Sequence, residues 1–131
     1  MTELEKTEKI TINLGLVDLG QVDLLVQEGF YSNRTDFIRT AIRTQLVTHA
    51  EVVKHTVARK MLVLGVQYYN RSDLEALRAA GQMVQIHVLG LASIAEDVSP
   101  ELALATIGSI EVLGALRAST AVKAALAGRI R

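Results

Sequence analysis

The sequence predicts an α+β protein in which a β-α-α unit of an intertwined dimer precedes a small α/β domain of strand-helix repeats. Two observations support this class. A short alternating segment followed by two helical segments occupies residues 9–46, and one apolar triplet recurs three times in the second half. The expected divisions are residues 1–50 for the first domain, residues 51–60 for a helix extension or linker, and residues 61–131 for the repeat domain.

The first predicted element is a strand over Lys9–Leu14, whose side chains alternate between two faces. One face carries Ile10, Ile12 and Leu14, and the other carries Lys9, Thr11 and Asn13. A lone short strand leaves its backbone groups unpaired. Pairing with the same strand of a second chain would satisfy them and present a polar ribbon whose width suits the major groove of DNA. Lysine, threonine and asparagine are also residue types that can contact base edges.

The next predicted element is a helix that begins at Asp18, where Asp18 and Gln21 fit a capping box. Gly29 is the expected stop, because glycine tolerates the left-handed backbone that ends many helices. Gly20 lies inside this helix, where glycine costs about 1 kcal/mol relative to alanine. The apolar stripe expected to be buried consists of Leu19, Val22, Leu25 and Val26.

A second helix follows, with Asn33 as its cap and Asp36 three residues later. Its first turn contains Arg34 and Thr35. A helix N-terminus carries free amides and a partial positive charge, so a phosphate group could bind there. Arg39 and Arg43 are expected on the side opposite to the buried face, which consists of Phe37, Ile38, Ala41, Ile42 and Leu46.

The order of the strand, the run Gly-Phe-Tyr-Ser-Asn-Arg-Thr and the two helices resembles the ribbon-helix-helix (CopG-like) family of transcriptional regulators. The resemblance covers residues 8–50. It implies a homodimeric repressor whose partner is a double-stranded DNA operator. Carried over to this chain, the base-reading residues would be Lys9, Thr11 and Asn13, and the phosphate clamp would be Asn33, Arg34 and Thr35.

Composition sets limits on the function. The chain has no cysteine, which excludes disulfides, zinc-thiolate sites and thiol catalysis. Its net charge of zero predicts modest non-specific affinity for DNA. His49, His55 and His87 show no metal-ligand spacing, and no catalytic motif is present, so we expect no metal, no cofactor and no enzymatic activity. No signal peptide or membrane span is visible, so a cytoplasmic location is expected.

The second half contains an internal repeat. Val63-Leu64-Gly65, Val88-Leu89-Gly90 and Val112-Leu113-Gly114 recur at spacings of 25 and 24 residues. Each triplet lies in an apolar, strand-like segment, namely 61–66, 83–91 and 110–116. Each segment precedes a helix-like one, namely 72–80, 99–105 and 120–127. Such repeats indicate parallel strands joined by helical crossovers. A short solenoid and a ligand-sensing βαββαβ arrangement are the alternatives.

The caps of the predicted helices are Ser72, paired with Glu75 in a capping box, and Ser99, followed by Pro100 at the first helical position. Tyr68 and Tyr69 are interpreted as a strand end that packs on a neighbour rather than as part of a ligand site. The second half would form oligomers of dimers or sense an unknown effector. Two further hypotheses remain open, an antitoxin with a toxin partner and an assembly protein that does not bind DNA.

Overall fold

The computed structural model describes residues 6–131, which form a mixed α/β chain. The chain folds as two compact units, of which the first comprises Thr7–Thr56 and the second contains Val57–Arg131. The helices are α1 (Leu16–Gln27), α2 (Arg34–Thr48), α3 (Ala50–Lys60), α4 (Arg71–Ala79), α5 (Pro100–Thr106) and α6 (Thr120–Ala125). The strands are β1 (Val63–Tyr69), β2 (Val84–Ile94) and β3 (Ile107–Arg117).

Helix α1 begins two residues before its predicted start. Its cap is Gly15, whose side chain offers no hydrogen bond, and Asp18 lies within the first turn. The predicted capping box at Asp18 is therefore wrong. The stop at Gly29 is confirmed, because Gly29 has a φ of 86° and the amides of Gly29 and Phe30 donate to the carbonyls of Val26 and Leu25. This pair of bonds is the Schellman motif, which satisfies the last carbonyls of a helix.

The segment Lys9–Leu14, predicted as a strand, forms no β-ladder within the single chain. A ladder needs a second strand, and neither α1 nor α2 can supply one. All six side chains of the segment are exposed.

The second unit contains a parallel three-stranded sheet in the order β1-β2-β3. The predicted parallel strands and crossovers are confirmed, and the βαββαβ alternative is wrong. The strands pair so that the three Val-Leu-Gly triplets lie side by side, with Gly65 opposite Gly90 and Gly90 opposite Gly114. The sequence repeat is thus a structural repeat, with one triplet in each strand.

Side-chain caps begin both crossover helices, α4 and α5. Ser99 caps α5 by accepting from the amide of Leu102 at 3.1 Å, with Pro100 at the first position, as predicted. The capping box of α4 is formed by Asn70 and Asp73, so the predicted box at Ser72 is wrong by two residues. Asn70 also ends the preceding strand region, and its side chain accepts from the Asp73 amide at 2.7 Å.

The helices α4, α5 and α6 cover one face of the sheet. In a sheet whose strands follow sequence order, crossovers of the usual hand all lie on the same side. A single core joins these helices to the even-numbered positions of β2 and β3 and to Ile107, which lies before the register shift between the two strands. Tyr69 packs against this core, as expected for a strand end. The core consists of Leu74, Ile86, Val88, Ala92, Ile94, Val98, Leu102, Ala103, Ile107, Ile110, Val122 and Leu126.

The glycine row, defined here as Gly65, Gly90 and Gly114, has φ values of 130°, 138° and 121°. Only glycine adopts this backbone region readily. A Cβ atom added at Gly90 would overlap the carbonyl oxygen of Gly65, and one added at Gly114 would overlap that of Gly90. A Cβ atom added at Gly65 would meet no atom within 4 Å. Gly90 and Gly114 are therefore required for space as well as for conformation.

We expect Gly65→Ala to lower the free energy of unfolding by about 1–3 kcal/mol through backbone strain alone. Gly90→Ala and Gly114→Ala should cost clearly more, since each also forces two backbones apart. Urea unfolding followed by circular dichroism would measure the loss in the free energy of unfolding for each of the three variants. Equal losses at all three positions would contradict the steric explanation.

Candidate nucleic-acid interface

The first unit has almost no core of its own. Val22 is the one hydrophobic side chain that the structure buries within Thr7–Thr56. The predicted stripe of α1 is otherwise half-buried, and of the apolar face predicted for α2 only Phe37 and Ile38 are half-buried. Ala41, Ile42 and Leu46, which were expected to be buried, are exposed in the single chain. This unit therefore leaves much of its apolar surface uncovered.

The uncovered surface forms an apolar groove of about 480 Å³ between the segment Lys9–Leu14, α1 and α2. Ile12 and Leu14 line it from the extended segment, and their exposed fractions are 58% and 41%. Ile10, at 73%, continues the same alternating set. The groove is lined by Ile12, Leu14, Asp18, Gln21, Val22, Leu25, Phe37, Ile38, Ala41 and Ile42.

The polar residues of the same segment, Lys9, Thr11 and Asn13, are exposed to solvent. None of them lines the apolar groove. Two of the three apolar residues, Ile12 and Leu14, therefore lie at the groove, and the polar set lies outside it. Their role in base recognition stays a prediction.

The start of α2 is organised by two hydrogen bonds that share Asp36. Asn33 Oδ1 accepts from the amide of Asp36 at 2.8 Å, which confirms the predicted cap. The carboxylate of Asp36 accepts from the amide of Ser32 at 2.9 Å. Tyr31 packs edge-on against Phe37 with ring centroids 5.0 Å apart, which holds the turn against the helix.

A polar hollow of about 360 Å³ lies at this helix start. Its lining includes Asn33 and Thr35 from the predicted phosphate clamp, but not Arg34. Arg39 and Arg43 supply the cations instead. The spacing of Thr35, Arg39 and Arg43, four residues apart, was the sequence signal that places all three on one helix row.

Arg34 is engaged elsewhere. Its Nε and Nη2 atoms donate to the two carboxylate oxygens of Asp23 on α1, each at 2.8 Å. The hydrogen bonds from Arg34 lower the pKa of Asp23, and they raise the pKa of Arg34 in turn. A carboxyl group with a lowered pKa stabilises the folded state at neutral pH and loses that effect as the pH falls through the lowered value. At neutral pH Arg34 is therefore held in an exposed ion pair with Asp23.

The histidines lie apart from this site. His49 is the C-terminal cap residue of α2. On α3, Nε2 of His55 lies 3.6 Å from Oε2 of Glu51. Across residues 6–131, no three side chains of the His, Cys, Asp or Glu types come together as metal ligands. Within the same residues, none of the helices is both long enough and apolar enough to cross a bilayer.

Comparison with known families gives one match. Residues 5–123 match the profile described as the Ribbon-Helix-Helix transcriptional regulator family. The match includes the three strands of the second unit, which the sequence resemblance at residues 8–50 had not covered. No curated protein and no solved structure matches the chain.

We expect Asp23→Asn to strengthen binding to a random-sequence duplex, because it frees one arginine per chain. Each additional phosphate neutralised steepens the log–log salt dependence by about 0.9. Fluorescence anisotropy at several salt concentrations would measure both quantities. Glu28→Gln is the matched control, since it removes one exposed negative charge at the end of α1 without releasing Arg34. Equal gains in the two variants would contradict a specific release of Arg34.

Proposed function

We propose that this member of the ribbon-helix-helix transcriptional regulator family is a sequence-specific repressor that acts as a homodimer. Membership of the family indicates a DNA-binding transcriptional regulator. The observation that carries the finer proposal is the alternating segment Lys9–Leu14, in which Ile12 and Leu14 line an uncovered groove and the polar residues lie outside it.

The uncovered apolar surface of the first unit supports the proposed dimer. A unit of this size with one buried hydrophobic residue cannot offset the entropy of ordering its chain. A second copy would supply the missing apolar side chains and a partner for the strand at Lys9–Leu14. The two segments would then pair as an antiparallel ribbon over the helices. Residues 1–50 would thus form the dimerisation and DNA-binding domain.

Base recognition would come from the outer face of that ribbon. A two-stranded ribbon fits the major groove, where each base pair presents a distinct pattern of donors and acceptors. Asn13 can bond adenine at two positions, Lys9 can donate to guanine, and Thr11 can contact a thymine methyl group. The dimer would present two copies of each residue, so its operator should be a pseudo-palindrome.

Phosphate contacts would position the ribbon in the groove. The proposed clamp is the start of α2, with Asn33, Arg34 and Thr35, and the polar hollow adds Arg39 and Arg43. Such contacts supply affinity and register rather than sequence preference. Repression is the simplest outcome, because a dimer seated in the major groove blocks other proteins from the same DNA.

The dimer can be tested with Ile12→Glu. Ile12 is 58% exposed in the single chain and lies outside the second unit, so the charge should leave the parallel sheet folded. In the proposed dimer the charge would be buried without a partner, and dimerisation should weaken by at least about 100-fold. Sedimentation velocity would measure this effect. Leu24→Glu, at a position 54% exposed and outside the apolar groove, should leave the dimer unchanged.

Base recognition can be tested with Thr11→Ala combined with Asn13→Ala. Fluorescence anisotropy would compare the region upstream of the protein's own gene with a scrambled duplex. Each lost base contact should cost about 1–3 kcal/mol on the specific duplex. Binding to the scrambled duplex should not change, because the double variant alters no charge. Equal weak binding to both duplexes by wild type and variant would overturn the proposal.

A further inference from the structure

The second unit has an uncovered sheet face. Because α4, α5 and α6 all cover one side of the sheet, the odd-numbered positions of β2 and β3, and the positions beside them on β1, face the other side. We call this surface the open sheet face. Its central residues are Leu64, Val66, Leu89, Leu91, Leu113 and Ala115.

The centre of the open sheet face is entirely apolar. Leu64 is 71% exposed, Leu113 is 48% exposed and Val66 is 38% exposed, whereas Leu91 on the middle strand is buried among its neighbours at 5%. None of the six central residues belongs to the core beneath the helices. An apolar surface that follows three adjacent strands is an unusual surface for a soluble unit and typically marks an interaction site.

The face is symmetric about the glycine row. On each strand one apolar side chain precedes the glycine and one follows it, so Leu64 and Val66 flank Gly65. The same holds for Leu89 and Leu91 around Gly90, and for Leu113 and Ala115 around Gly114.

The charged residues follow the same symmetry with opposite signs. Glu111 precedes Gly114 by three positions on β3, and Arg117 follows it by three. Both have odd numbers, so both lie on the open sheet face. Lys60 Nζ lies 3.5 Å from Glu111 Oε1, so the acidic end of the face already contains a local cation contact.

We propose that the open sheet face packs against the same face of a second copy, with the strands of the two copies antiparallel and the twofold axis at the glycine row. This arrangement places the leucine before each glycine opposite the apolar side chain that follows the same glycine in the other copy. It also places Glu111 of each copy opposite Arg117 of the other. A twofold interface of this kind must be self-complementary, and the pattern of this face meets that condition.

The size of the face favours a second copy over an unrelated partner. Seven residues along three strands cover about 300 Å² in plan, at about 3.3 Å per residue and about 4.8 Å between strands. A stable complex buries about 800 Å² per partner. The face alone would bind weakly, whereas copies already joined through their first units, as the proposed function requires, meet at a high effective concentration.

Cross-linking of the full chain tests the geometry. The chain contains no cysteine, so introduced thiols are the only ones that react. Glu111→Cys combined with Arg117→Cys would be treated with a bis-maleimide reagent of about 10 Å reach, the usual separation of packed sheets. The two thiols of one chain lie about 20 Å apart along β3 and cannot be bridged. We expect the double variant to give roughly tenfold more cross-linked dimer than either single variant, because only it places two thiols opposite each other.

Two further variants serve as the specificity test. Leu113→Glu, added to the double cysteine variant, should reduce the cross-linked fraction to the level of the single variants. Leu104→Glu changes a leucine on α5 that is 38% exposed, and it should leave the yield unchanged. Strong cross-linking of either single variant, or no effect of Leu113→Glu, would overturn the proposed interface. Sedimentation without DNA would show why a cross-link fails to form. A protein that sediments as a dimer but does not cross-link overturns the sheet interface alone. A protein that sediments as a monomer overturns both this interface and the proposed homodimer.

Discussion

The lateral register of β1, β2 and β3 determines most of the second unit. The glycine row lets the strand backbones approach one another where a Cβ atom would collide with a neighbouring carbonyl group. Once the glycines are aligned, the flanking side chains align as well, because successive residues of a strand alternate between its faces. The core beneath the helices and the composition of the open sheet face both follow from this one alignment.

The two units bury their apolar residues in different ways. The second unit completes a core within the chain, from Leu74 on α4 to Leu126 after α6. The first unit buries only Val22 and leaves Ile10, Ile12 and Leu14 exposed. A protein with this asymmetry should lose the first unit's order when it cannot associate, while the sheet should persist.

The electrostatic potential of the proposed DNA surface depends on which arginines form ion pairs more than on the net charge of the chain. The net charge of zero hides a local arrangement in which Asp23 holds Arg34 while Arg39 and Arg43 line the polar hollow. Bidentate contacts of this kind fix both partners in place. The affinity for phosphate groups would therefore depend on which arginines are released on binding, and a count of charges along the chain does not contain that information.

The sequence by itself determined the features that depend on a few neighbouring residues. The cap at Asn33, the stop at Gly29 and the start of α5 at Ser99 all rest on hydrogen bonds that span at most five residues. The repeated triplet also sufficed to predict three parallel strands. Only the tertiary structure decided that Arg34 pairs with Asp23 eleven residues away, and that α4, α5 and α6 all lie on one face of the sheet. Those outcomes depend on how separate elements pack, and no local propensity encodes that geometry.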